Sequence, residues 1–198
     1  MKRWLILAVL GTALGGCAAL HKADSPVTMR LSPSFPAPEQ AAAGSVEVAP
    51  VQARGMAAAA RYAYVDATAP GEVRQAKSFF WEEPPPRVLQ SALVAGLRTR
   101  FAPVAVSGLG ERAERRVVAT LTRFEETDAG ADAHAVVAFE AVVMRGNKIE
   151  SSRNFCGSAP IAGASGTARA HAFEAAIESA TGDLVQAMAS GTASTPRC

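Results

Sequence analysis

The sequence predicts an α+β domain, a mainly antiparallel sheet covered on one face by two helices, and three observations carry that prediction. Apolar residues alternate with polar or small ones over several short blocks, the period of a half-buried strand. In two longer stretches, one near the middle of the chain and one near its end, they recur every third or fourth residue, the period of an amphipathic helix. The blocks follow one another as strands, helix, strands, helix, an order that places helices together on one face of a sheet.

The chain opens on a basic start, Met1, Lys2 and Arg3, followed by an apolar run from Trp4 to Leu14 that is too short to cross a bilayer as an ordinary helix. Residues 1–16 therefore read as an export signal. Leu14-Gly15-Gly16-Cys17 sets an apolar residue three positions before a cysteine, with two tiny residues between, and this resembles the lipobox. That resemblance implies cleavage before Cys17, diacylglycerol on its thiol and a further acyl chain on its new amino terminus. The plainer alternative is an ordinary secretory signal with Cys17 there by chance. Each buried methylene of an acyl chain contributes about 0.8 kcal/mol, so two or three chains are a lasting anchor without a membrane span. Ala18 stands where an aspartate would favour retention at the inner membrane, which directs the expectation to the periplasmic face of the outer membrane.

Residues 17–44 are small, polar and rich in proline, with Pro26, Pro33, Pro36 and Pro38, and read as a lipidated cysteine followed by an extended tether. A single folded domain is expected over 45–198. Val46, Val48 and Val51 suggest a first strand, and Arg61 to Asp66, with Tyr62 and Tyr64, a second. Ala57 to Ala60 connects them. Ala69-Pro70-Gly71 is a turn, and Glu72 to Phe80 a third strand. Past Trp81-Glu82-Glu83-Pro84-Pro85-Pro86 the period changes: Leu89, Leu93, Leu97 and Phe101 define one face of a helix that starts near Pro85. Alternation returns from Val117 to Thr122 and from Ala135 to Val143, and the turn Arg145-Gly146-Asn147-Lys148 leads into a strand from Ile149 to Cys156. Thr167 to Ala189, with Phe173, Ile177 and Leu184 on one side, closes the chain as a helix, weakened by Gly182.

Chemistry of the catalytic kind leaves no pattern. His21, His134 and His171 fall in the tether, a strand start and a helix, without the spacing of joint metal ligands. Gly-x-Ser-x-Gly is absent, Gly108-Leu109-Gly110 lacks the later glycine of a dinucleotide loop, and Gly163 to Thr167 has no phosphate-loop lysine. No cofactor is expected beyond the lipid on Cys17. A net charge of +2, from 20 basic and 18 acidic side chains, is too balanced for a nucleic-acid surface. Glu82 and Glu83 read as the solvated start of a helix. Trp81, with Pro84 and Pro85, has two readings, a wedge that packs the helix onto the sheet or an exposed anchor at a partner interface. With Cys17 assigned to lipid, Cys156 and Cys198 are left with three fates: a disulfide, two free thiols or an intermolecular bond.

Taken together, the lipobox at Cys17, Met29-Arg30-Leu31-Ser32-Pro33, the run Phe80 to Pro86, the helix with Leu89, Leu93 and Leu97, and Leu121-Thr122-Arg123-Phe124 resemble the ABC-type transport auxiliary lipoprotein family, from about residue 27 to 190. The alanine-rich stretch Met56 to Ala60 departs from it. The resemblance implies a non-enzymatic, lipid-anchored periplasmic component of an intermembrane lipid transport system. It also implies an MCE-domain transport protein as partner, and self-association into a ring fits such a partner, although no residue specifies it. The competing expectation is a periplasmic lipid-binding carrier, which requires an apolar cavity.

Overall fold

The computed structural model describes residues 25–37, 42–107, 113–128, 132–191 and 198. Leu14, Gly15, Gly16, Cys17 and His21 lie outside the described residues, as does Gly108-Leu109-Gly110. Among the described residues nine strands form one mixed sheet and two α-helices pack against it, the α+β class that the alternating and helical periods predict.

The sheet is organised around its long seventh strand. β7 (Arg115–Thr127) runs antiparallel to β8 (His134–Arg145), and β8 to β9 (Lys148–Pro160), so that three long strands make a meander. The other edge of β7 is shared along its length by three parallel partners: β2 (Ala42–Val48), β3 (Gln52–Ala53) and β4 (Arg61–Val65). β5 (Val73–Trp81) returns antiparallel to β4, β1 (Val27–Met29) lies parallel to β5, and β6 (Phe101–Val106) lies parallel to β2. The longest ladders are thus antiparallel, while the amino-terminal strands join by parallel pairing.

Alternation along β7 and β8 decides which face is covered. Val117, Ala119 and Leu121 on β7 and Ala135, Val137, Phe139, Ala141 and Val143 on β8 all point to the helix side and are buried. A register shift between Leu121 and Arg123 inserts Thr122 as an extra residue, whose Oγ1 donates to the Ala138 carbonyl (3.0 Å). Its effect is to turn Phe124 inward where strict alternation would have placed Arg123.

α1 (Pro85–Arg98) and α2 (Gly166–Ser190) supply the second layer. Proline at the first turn of α1 loses no hydrogen bond that a helix start would have made, which explains why Pro84-Pro85-Pro86 begins a helix rather than preventing one. Leu89, Leu93 and Leu97 are fully buried, as are Phe173 and Ile177 of α2. Ser165 caps α2 by accepting from the Ala168 amide (3.1 Å), and Gly191 ends it in the left-handed conformation (φ 68°). Gly157 lets α2 lie directly on β9, because a Cβ there would run into the Ala176 carbonyl. Tyr62, Trp81, Phe124 and Phe173 gather between the layers, with ring centroids from 4.7 to 5.7 Å apart.

Two expectations need correction. The tether does not run to residue 44: Val27–Met29 is a strand, Leu31 and Phe35 pack against the core, and β2 begins at Ala42. Phe101 does not belong to the face of α1, which ends in a turn at Thr99 and Arg100, but starts β6 and is buried there.

Candidate docking surface and anchor attachment

The segment that enters the domain is laced to both helices. β1 pairs Val27, Thr28 and Met29 with Phe79, Phe80 and Trp81, and the Glu82 amide donates to the Met29 carbonyl (2.9 Å). Beyond it the chain crosses α2, where the amides of Ser32 and Ser34 donate to the carboxylates of Glu174 and Glu178 at 2.8 and 2.7 Å. Those acceptors are four residues apart on a helix and therefore stacked on one face, a spacing that suits two alternate amides of an extended strand. The ring of Phe35 lies over Gly96 of α1, so close that a Cβ there would sit 3.3 Å from its edge.

At the start of α1 the Arg30 guanidinium grips the Glu82 carboxylate with two nitrogens, the Nη2 bond measuring 2.8 Å. That hydrogen bonding holds the Glu82 carboxyl below the usual carboxylate range and raises Arg30 further. Both groups are exposed, so the pair fixes geometry more than it adds stability. A polar recess of about 220 Å³ opens beside it, lined by Arg30, Ser32, Glu82 and Glu83.

Of the three residues offered as an interface, Trp81 (4% exposed) and Pro85 are buried and Pro84 is exposed. Trp81 is thus the wedge of the first reading: its neighbours Tyr62, Phe124 and Phe173 come from β4, β7 and α2. The exposed surface here is the edge from Glu82 to Pro84. Cys156 on β9 and Cys198 are joined in a disulfide, with Cα atoms 5.7 Å apart.

A charged cluster is buried around Glu126, and sequence patterns did not announce it. Glu126 (3% exposed) accepts from the Tyr62 hydroxyl and pairs with Arg169 Nε at 3.0 Å, while the Arg169 guanidinium lies 5.0 Å from the Phe79 ring centroid. Burial raises the Tyr62 phenol, and its hydrogen bond to the Glu126 carboxylate adds to the effect. All three groups are engaged with one another, which makes the cluster a fastening between β4, β7 and α2. The histidines are dispersed: His134 Nδ1 is 2.7 Å from the Asp132 carbonyl oxygen and His171 Nδ1 is 3.1 Å from Glu174. Among the described residues no group of three or more His, Cys, Asp or Glu side chains is arranged to hold a metal ion, and no helix is long and apolar enough to cross a membrane.

The class of protein comes from the family match, that of the transport auxiliary lipoproteins. Residues 30–189 match the model of the ABC-type transport auxiliary lipoprotein component, and the chain belongs to that family, whose members are auxiliary components of transport systems and not catalysts. The fold is similar to that of a protein from Xanthomonas campestris, with a TM-score of 0.66 at 23% identity over 80% of this chain and 92% of that one. An uncharacterized protein of known structure gives a TM-score of 0.63 at 14% identity over 82% and 99%. At such identities the likeness concerns the fold. No curated protein matches the sequence.

Proposed function

We propose that the chain is a lipid-anchored auxiliary component of an ABC/MCE-type intermembrane lipid transport system, held by acylated Cys17 at the periplasmic face of the outer membrane and serving as a docking or assembly module for an MCE-domain protein. Family membership supports the transport-auxiliary part. The observation that supports the anchored part is the fixed course of residues 27–35. Ten steps of chain separate Cys17 from Val27. Fully extended, ten residues reach no more than about 35 Å. A lipid at Cys17 therefore holds the domain beside the bilayer, with Val27 and the start of α2 as its near side. Trp81 and Pro85 support a docking surface from beneath, and the exposed edge at Glu83 and Pro84 is the part a partner would touch.

Carriage of lipid is the competing role, and the lining of the recesses argues against it. Those of about 490 Å³ along α1 and about 470 Å³ beside β4 and β5 are bordered by Glu83, Arg87 and Arg98 and by Arg123, Glu125 and Asp128, charged linings that suit an acyl chain poorly, and the recess between α2 and the sheet holds only about 120 Å³.

Two measurements test the proposal. Cys17→Ser should leave an uncleaved precursor without fatty chains, read by intact mass. Affinity purification of the acylated chain under mild detergent should bring down an MCE-domain protein; recovery of only unrelated partners in repeated trials discards the transport assignment.

A further inference from the structure

α1 has two flanks of opposite character. Gly96 is turned to α2 and the arm, close to Thr181 and Phe35. Arg87, Ser91, Val94 and Arg98 lie about half a turn round the helix from it and border a groove of about 490 Å³ that ends at Val106 of β6. Val94 is buried, while Arg87, Ser91 and Arg98 are exposed.

Charge on this flank is unbalanced. α1 carries Arg87 and Arg98 and no acidic residue, and Arg100 follows at its end. None of the three has an ion-pair partner among the described residues, and neither has Glu83, the carboxylate on the border of the groove. Beside them β6 is an edge strand that pairs with β2 alone. The Ser107 amide donates to the Val48 carbonyl (3.0 Å), so the peptide groups of Val104 and Val106 point outward, away from β2. Arg98 Nη2 donates to the Val104 carbonyl there, at 3.4 Å.

The described ends of the neighbouring segments lie elsewhere. Residues 108–112 start and finish on the other face of β2, where Ser107 Oγ donates to the Glu47 carboxylate and the Glu114 amide donates to Ser45 Oγ (2.9 Å). Val46 and Val48, which alternate with Ser45 and Glu47, are the residues buried beneath the helices. β1 runs toward Glu82, so the chain before Ser25 leads away from the start of α1. Residues 38–41 set out from the Phe35 side of α1, and 192–197 from the end of α2 toward Cys156.

We propose that this flank takes an extended, acidic segment of a partner protein. The segment adds to the outer edge of β6, and two of its carboxylates, about 16 Å apart or about five extended residues, meet Arg87 and Arg98. Arg98 exchanges the Val104 carbonyl for a carboxylate, a stronger acceptor, and the carbonyl passes to an incoming amide. The proposal rests on the docking reading above, whose edge at Glu83 borders the groove, and it names the chemistry of the docked segment.

The probe is a pool of fluorescein-labelled nonapeptides with Glu at positions 3 and 7 and Val, Thr or Ser elsewhere, compared with pools carrying Gln or Lys at the same two positions. Anisotropy with the purified full chain in detergent should show the Glu pool binding about tenfold more tightly than the Gln pool, and the bound pool should slow hydrogen exchange at the Val104 and Val106 amides. Arg87→Glu with Arg98→Glu should lose the Glu pool and bind the Lys pool in its place, a gain that a misfolded variant could not show. Equal binding of the Glu and Gln pools, no binding at millimolar protein, unchanged exchange at Val104 and Val106, or Glu-pool binding that survives the double variant overturns the proposal. So does a shift of the Arg87 and Arg98 Nε resonances by phosphatidylglycerol added to the micelles without a shift by the Glu pool, which gives the flank to a membrane. Self-association that the double variant abolishes, with no peptide bound, gives it to a second copy and overturns the proposal equally. If an MCE-domain protein co-purifies with the wild type and with the double variant while the Glu pool fails to bind, the groove falls and the docking reading stands. If the Glu pool binds and no MCE-domain protein is recovered, the groove stands and the transport assignment falls.

Discussion

At its amino end the domain is fastened by many weak contacts, a three-residue parallel ladder, two amide-to-carboxylate bonds and two half-buried apolar side chains, whereas at its carboxyl end one covalent bond joins Cys198 to β9. The first kind of fastening opens and recloses without chemistry, one contact at a time. The second is all or none, and an oxidising compartment maintains it. The difference teaches where compliance lies. If lipid on Cys17 bears load from the bilayer, that load enters through the graded end, first at β1 on the edge of the sheet beside β5 and then at the contacts of Ser32, Ser34 and Phe35 with α2 and α1.

The sharpest way to break this comparison is to remove the covalent end. Cys156 and Cys198 are 42 residues apart, and the chain-entropy account of closing such a loop gives a loss of about 4 kcal/mol on replacing both by serine. Denaturant melts of the double variant and of the reduced wild type should agree with each other. Titration of two free thiols in the native, unreduced protein would instead remove the contrast at its root. A smaller loss tests the other end. Phe35→Ala removes the ring from Gly96 and should cost about 2 kcal/mol, less than a fully buried phenylalanine, and should expose residues 27–37 to protease before the sheet unfolds.

These two ends were unequally legible in the sequence. Cysteines are few, so Cys156 and Cys198 could be named, but no spacing in a chain supplies the distance that decides between a bond and two thiols. The arm was read as a tether because its prolines and small residues resist local structure, and its order is supplied from far away, by Trp81 and its neighbours and by Glu174 and Glu178. Leu89, Leu93 and Leu97, by contrast, announce α1 by themselves, as alternation announces β7 and β8. Phe101 misled because it continues the four-residue period past the helix end, and the turn at Thr99 that breaks the helix has no strong signal. Of the candidate surface, the wedge-or-anchor question at Trp81 needed the positions of Tyr62, Phe124 and Phe173, which lie on three other elements.

The amide acceptors allow a finer test of grading. Glu174→Ala and Glu178→Ala each leave one amide of the arm to water and should cost about 1 kcal/mol apiece. Because the two bonds are made two residues apart on one extended segment, the double variant should lose more than the sum in hydrogen-exchange protection at Ser32 and Ser34, while protection in β7 and β8 stays at the wild-type level. Equal loss of protection across the sheet would show that arm and sheet open together and that the fastening is not graded.

The smallest effect belongs to Arg30 and Glu82. Because Arg30 holds the Glu82 carboxyl below its unfolded value, the contribution of the pair is present above the usual carboxylate range and is lost as pH falls through the lowered folded value. Both side chains are exposed, so salt screens them and the contribution at neutral pH is small. Arg30→Gln should therefore lower the melting temperature at pH 7 slightly, by less than Phe35→Ala, and the gap to the wild type should close as pH falls through and below the range where an unperturbed glutamate titrates. A loss at pH 7 as large as that of Phe35→Ala would mean that the pair at the start of α1, and not the packing of the arm on the helices, governs how the amino end is held.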